Sequence, residues 1–125
     1  MIEHKLNVRL QQPYSVAIGV GGRAKKVHRF DLGNEGVLVE CKTHKWTKGD
    51  NVPSVKITVW NEAMYYFALA PRNFKKIFFV LRDFNDKKGC TLAEYYIATY
   101  SHLIPEDVEI WEYDQKRDEA KMLSV

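Results

Sequence analysis

The chain has no run of apolar residues approaching the ~20 that a membrane-crossing helix requires, so no membrane span is expected. Its first residues, Met1-Ile2-Glu3-His4-Lys5, carry charges with no apolar stretch behind them. No export signal is therefore expected, and the cytoplasm is the expected compartment. Cysteine is scarce: Cys41 and Cys90 lack CxxC spacing and are expected to stay reduced thiols. No His or Cys cluster has zinc-ligand spacing. Gly19-Val20-Gly21-Gly22 precedes a strand, the reverse of the order that a nucleotide-binding glycine loop needs. Repeats and low-complexity segments are absent too. What is present is 125 residues with 46% hydrophobic and 13% aromatic content. That is one domain, 1–125, long enough to bury a core but without room for a separate recognition domain.

Charge is unevenly spread. Residues 1–60 hold ten Lys or Arg against five Asp or Glu, a net of +5, leaving nine against eleven, a net of −2, for residues 61–125. A basic half of this kind suits a phosphate-backbone partner, because lysine and arginine replace condensed counterions. The simpler alternative is a solvated surface of unequal charge.

Two β-rich runs, residues 27–32 and 37–41, flank Gly33-Asn34-Glu35-Gly36, whose glycines suit a tight reversal. With Asn34 and Glu35 at the tip, Leu32 would pair with Val37, Asp31 with Leu38, and Arg29 with Glu40. Side chains alternate along a strand, so Leu38, Glu40 and Lys42 share one face with Val27, Arg29 and Asp31. Phe30, Leu32, Val37, Val39 and Cys41 would form the opposite, core face. Asp31 and Glu40 then lie diagonally, close enough to hold one divalent ion, with the backbone carbonyl of Cys41 as a further hard ligand. Oxygen ligands suit Mg²⁺, or Mn²⁺ in its place, which also binds substrate phosphate oxygens. A metal-bound water could attack a phosphodiester, with Lys42 orienting it or taking its proton. The alternative is a solvated face closed by an Arg29 to Glu40 pair.

Around this hairpin the chain reads as follows. Residues 5–10 alternate as a short strand or arm, and Pro13 opens a short helix over 14–18, ended by Gly21-Gly22. Arg23, Lys25 and Lys26 are candidate phosphate contacts, as are His44 and Lys45 beside Trp46, an aromatic placed to stack or wedge. The spacing predicts a helix over 51–70, with Val52, Val55, Val59, Ala63, Tyr66, Phe67 and Ala70 on its apolar face. Ser54 and Lys56 at its start could meet a phosphate, and Glu62 borders its polar stripe. Residues 76–84 form a strand buried on both faces and hence central. Thr91-Leu92-Ala93-Glu94 has the capping-box spacing of a helix start, Pro105 ends that helix, and residues 108–113 alternate as a last strand. The remainder, 115–125, reads as a weakly held helix or frayed tail.

Asp31 followed by Glu40-Cys41-Lys42 resembles the D…(D/E)xK signature of the PD-(D/E)xK nuclease superfamily, which includes many restriction endonucleases. The order helix, hairpin, long helix, buried strand, helix, strand is similar to its α/β core over nearly the whole chain. The resemblance implies a restriction-endonuclease-like mixed sheet of four to five strands flanked by helices. It implies a Mg²⁺-dependent endonuclease in which Asp31 and Glu40 bind metal and Lys42 assists water. DNA is the expected nucleic acid, and a homodimer would bring two sites to two strands. The sequence departs from the family between Gln11 and Gly22, where the upstream helix often carries another acid and this chain has none. Either Glu3 substitutes or two acids act with water and phosphate. A non-catalytic module of the same fold, binding nucleic acid or protein, is the alternative.

Overall fold

A computed structural model describes residues 2–20 and 23–125. Its centre is a five-stranded mixed sheet in the order β3 (Leu32–Gly33), β4 (Val37–Lys42), β5 (Lys75–Leu81), β8 (Val108–Asp114), β9 (Glu119–Leu123). The β4, β5 and β8 strands are parallel, and an antiparallel strand closes each edge. Parallel neighbours need crossovers, supplied by α2 (Ser54–Leu69) and by α3 (Leu92–Tyr100). Both pack on one face, where Phe30, Leu38, Trp60, Phe67, Phe78, Tyr96 and Ile110 form the larger core. On the other face α1 (Ile2–Leu6) sets Ile2 and Leu6 against Val37, Val39 and Ile77. The sheet is thus flanked by helices on both sides. Among the described residues, no helix is long and apolar enough to cross a membrane.

The β5 strand is central, as its uninterrupted apolar run requires. The α3 start is a capping box, in which Glu94 N–H donates to Thr91 Oγ1 and Thr91 N–H donates to the Glu94 carboxylate. A two-stranded ribbon, β6 (Phe84–Asn85) with β7 (Cys90–Thr91), leads into it.

Several expectations need correction. Residues 2–6 are helical and 7–10 lie outside any strand, because Ile2 and Leu6, one turn apart, bury together against the sheet. The short helix expected after Pro13 is strand β1 (Tyr14–Ile18), whose Tyr14, Val16 and Ile18 turn inward while Ser15 and Ala17 stay exposed. The expected end of that helix, Gly21-Gly22, lies outside the described residues. The β1 strand pairs not with the main sheet but with β2 (Lys26–Phe30), making a separate two-stranded ribbon. The expected single strand over 27–32 therefore breaks at Asp31, where the chain bends. Phe30 consequently joins the α2-side core while Leu32 joins the opposite one. The α2 helix begins at Ser54, and its buried stripe is Ile57, Trp60, Ala63, Met64 and Phe67. Val55, placed on the apolar face by the wheel, is 77% exposed, since it lies about two residues off that stripe. The supposed tail contains β9, which buries Ala120 by pairing with β8.

Gly33 has a different task from the expected one. A Cβ there would lie 2.8 Å and 2.9 Å from Tyr14 side-chain atoms and 2.9 Å from the Val37 carbonyl oxygen. The reversal itself is held by Asn34, whose Oδ1 accepts from Gly36 N–H and Val37 N–H. Gly33 is needed because the β1 ribbon crosses β3 at van der Waals contact.

Candidate functional site

The β4 strand alternates as expected: Leu38 faces the α2-side core, Val37 and Val39 the other. Its register with β3 differs. Leu32 pairs with Val39 and Gly33 with Leu38, two residues further along β4 than the tight two-residue tip would give. A two-residue shift keeps every side chain on its face, whereas a one-residue slip would invert them all. Asp31 lies at the bend, outside this ladder, so it is not the diagonal strand neighbour of Glu40 that a continuous hairpin would make it. Asp31 Oδ2 accepts the Cys41 N–H at 2.8 Å, anchoring the carboxylate at the edge of β4. In an extended strand the Cys41 carbonyl points to that same edge. The Cys41 thiol lies on the opposite face, and burial pushes it up to about 11, so it is a neutral thiol.

Glu40 is 6% exposed. Lys42 Nζ stands 3.8 Å from its Oε2, and His28 Nε2 stands 3.6 Å from its Oε1. The expected Arg29 to Glu40 pair does not form: Arg29 is exposed opposite Ser15 in the β1–β2 ribbon. The bend at Asp31 rotates β2, so its inward residues are His28 and Phe30. His28 stacks on Tyr66 of α2 at 3.8 Å between ring centroids and sits edge-on to Phe30.

Burial, and then the Asp31 charge, push the Glu40 carboxyl up to about 7, against the opposing pull of Lys42 and a hydrogen bond with the Asp31 backbone. Burial also holds the His28 imidazole below its usual range, with Lys42 assisting and Asp31 and Glu62 opposing. Burial therefore works against the charged form of both side chains. At 3.6 Å, with neither His28 Nε2 nor Glu40 Oε1 hydrogen-bonded among the described residues, they form a site unsatisfied by the protein itself. Two adjacent carboxylates, one with an orphaned buried oxygen, fit a hard divalent cation that retains several waters. No group of three His, Cys, Asp or Glu side chains that could hold a metal occurs among the described residues.

Beside this centre, Trp60 Nε1–H donates to His44 Nδ1 at 2.8 Å. An indole nitrogen only donates, so Nδ1 is unprotonated and the neutral ring carries its proton on Nε2. Burial, then Lys42 and Lys56, keep His44 below its ordinary pKa. Lys42, His44 and Lys56 thus share one electrostatic neighbourhood. Ser54 is exposed at the first turn of α2, where its carbonyl accepts from Thr58 Oγ1. Lys45 lies instead on a cavity at the end of the sheet. Arg23 and Lys25 are exposed on the approach to β2 and Lys26 is exposed at its first position, and no hydrogen bond or ion pair among the described residues joins them to Glu40. Trp46 is not free to stack or wedge. It is buried against Tyr95, and both its backbone N–H and its indole N–H donate to Asp83. Glu3 is no third acid here: its Oε2 accepts from Leu10 N–H at 2.8 Å, and its helix covers the other face of the sheet.

Sequence reasoning missed His28, and it put Tyr66 only on the core face of the long helix; Glu62, read as a surface acid or a partner behind the site, does act on His28. The signal for His28 is weak: only knowledge of the break at Asp31 moves His28, rather than Arg29, onto the acidic face. Compared with models of protein families, with curated proteins and with solved structures, the chain matches none.

Proposed function

We propose that the chain is a metal-dependent nuclease of the PD-(D/E)xK type, hydrolysing phosphodiester bonds in nucleic acid, with DNA as the favoured substrate. One observation carries the reading: the buried, unsatisfied Glu40 carboxylate, flanked by Asp31, Lys42 and His28 at the end of β4. The fold agrees with a restriction-endonuclease-like core in one respect, since a strand bearing the Glu-x-Lys element continues through a helical crossover into a parallel central strand. Asp31 and Glu40, with the Cys41 carbonyl, would hold Mg²⁺ or Mn²⁺. When bound, the ion neutralises charge developing on the phosphorus oxygens and acidifies a water. Lys42 Nζ orients the attacking water and balances the Glu40 charge. His28, neutral and stacked on Tyr66, offers Nε2 to receive a proton within reach of the same centre. His44 Nε2–H and Lys56 provide donors for a neighbouring phosphate. Tyr66 and the α2 helix close the site against bulk water.

The test is incubation with plasmid, single-stranded and branched DNA in Mg²⁺, Mn²⁺ or EDTA. Cutting that requires metal and is abolished in both Glu40→Ala and Lys42→Ala supports the enzyme. Cutting unaffected by both variants refutes it. A second reading is favoured by the count of acids, two where a fuller metal cage would have three: a non-catalytic member of the fold that binds nucleic acid. It predicts DNA binding with no cutting in any metal. Two further parts of the proposal are a homodimer, tested by light scattering, and a cytoplasmic location, tested by fractionation.

A further inference from the structure

A cavity of about 670 Å³ opens where the parallel strands end, lined by residues following β5 and by the β8–β9 turn. In open α/β sheets this carboxyl edge is where ligands bind. Six cations line it, Lys5, Lys45, Arg82, Lys116, Arg117 and Lys121, against four carboxylates, Asp83, Glu112, Asp114 and Glu119. Two of the four are already engaged: Asp83 Oδ2 accepts from Trp46 N–H, and Asp114 Oδ1 accepts from the Lys116 and Arg117 backbone N–H groups. The Asp114 bonds also fix the turn that presents Lys116 and Arg117.

Glu112 is different. It belongs to the inward face of β8, is 3% exposed, and its Oε2 has no hydrogen-bond partner among the described residues. A buried polar atom left unsatisfied at the wall of a cavity is a place for a ligand's donor. Burial pushes this carboxyl upward, while the Thr91 hydroxyl, Arg82 and Lys121 hold it back. Phe84 supplies a third element, an exposed ring lining the same cavity, with the Arg82 guanidinium over one face at 5.7 Å from its centroid and the other face left for a base. Cations, a flat aromatic and a buried acceptor together match one chemistry. Inorganic phosphate would use only the first and would be repelled by the last. A nucleotide uses all three: phosphate on the cations, base face on the ring, base N–H on the carboxylate.

We propose that this cavity seats one unpaired nucleotide of a nucleic-acid strand, its phosphate held by Lys116, Arg117 and Lys121 and a base N–H donating to the Glu112 carboxylate. The base must be unpaired because in a duplex both of its faces are covered by stacked neighbours, leaving none for the Phe84 ring. This rests on the nuclease reading only for the identity of the polymer. Lys45, in the loop that follows Lys42 and His44, connects the two sites along the same edge of the sheet.

The test is fluorescence anisotropy of the full chain in EDTA with two labelled single-stranded dodecamers, one with normal bases and one wholly abasic. The wild type should bind the normal strand at least about tenfold more tightly, as expected when stacking and a base hydrogen bond are both lost. Lys116→Ala/Arg117→Ala should weaken both strands and flatten the slope of log affinity against log salt by roughly 1 to 2, as for two lost phosphate contacts. Glu112→Met should shrink the preference for the normal strand to under about threefold, while Glu112→Gln, which keeps an acceptor, should preserve it. Thermal melts of both variants against wild type establish that each is folded before its affinity is read. Equal binding of the two strands by wild type, or an unchanged salt slope in the double variant, would overturn the proposal. So would displacement by poly-glutamate or by dCMP as readily as by unlabelled normal strand, which would assign the cavity to an acidic peptide or to a free nucleotide. Failure of metal-dependent cutting leaves these binding results standing; cutting with no strand preference overturns only the cavity.

Discussion

Replacing Glu40 by glutamine should make the metal-free protein more stable while removing the proposed nuclease activity. Glu40 Oε1 is buried without a hydrogen bond among the described residues, its nearest cation is 3.8 Å away, and its nearest imidazole favours the neutral form. A carboxyl pushed up to about 7 is disfavoured as an anion in the folded chain. At about 1.4 kcal/mol per pH unit between about 4.5 and about 7, ionising it costs roughly 3 kcal/mol at pH 8, against about 1 kcal/mol for burying an unpaired glutamine amide in its place. Because the folded-state pKa lies above the unfolded one, the folded protein holds the extra proton between about pH 4.5 and about 7. Stability from this group is therefore complete below that window and is lost as pH rises through it. Urea denaturation in EDTA should show Glu40→Gln more stable than wild type by roughly 2 kcal/mol at pH 8, about 5 to 10 °C in Tm, with no gain at pH 4.5. With Mg²⁺ the order should change. Wild type gains about 2.7 kcal/mol when the ion is at a hundred times its Kd, and the variant much less. A Glu40→Gln protein that is less stable than wild type at pH 8 in EDTA, or that gains as much from Mg²⁺, would refute the reasoning.

Three further outcomes follow from other contacts. Lys76, 2% exposed, donates to Asp107 Oδ2 at 2.7 Å and to the Ala70 carbonyl at 3.3 Å. Asp107 is 42% exposed, so water reaches the vacated side and Asp107→Ala should cost about 1 to 3 kcal/mol, with Lys76→Met added to it recovering most of the loss in urea melts. Trp60→Phe removes the indole donor that, among the described residues, selects the His44 tautomer, so the His44 pKa, depressed in wild type, should rise in an NMR titration. An unmoved titration would show that the indole has no such role. Gly33→Ala should lower stability by about 1 to 3 kcal/mol in thermal melts, because the added methyl meets Tyr14 and the unyielding Val37 carbonyl.

Local chemistry was legible wherever it was self-contained. The Thr91 to Glu94 capping box, the central position of the apolar β5 and the period-two alternation of β4 each depend on neighbours in sequence, and period and composition report those directly. The facing of Leu38, Glu40 and Lys42 survived even a wrong register, because an even shift leaves parity unchanged. A break in a strand, by contrast, has no such signature. The bend at Asp31 reversed the faces of β2, replacing Arg29 with His28 beside Glu40 and moving Phe30 to the other core.

By itself the sequence determined that one α/β chain carries an acid, and then an acid and a lysine, with the last two on one side of a strand. Only the tertiary structure decided how deeply those groups are buried, and depth is what gives them their chemistry. Glu40 is raised by the α2 helix and β2 ribbon that close over it, and Glu112, unremarked in sequence, is buried beside Thr91 at the start of α3. Desolvation depends on which distant residues exclude water from a carboxylate, and that is a property of the packed chain alone.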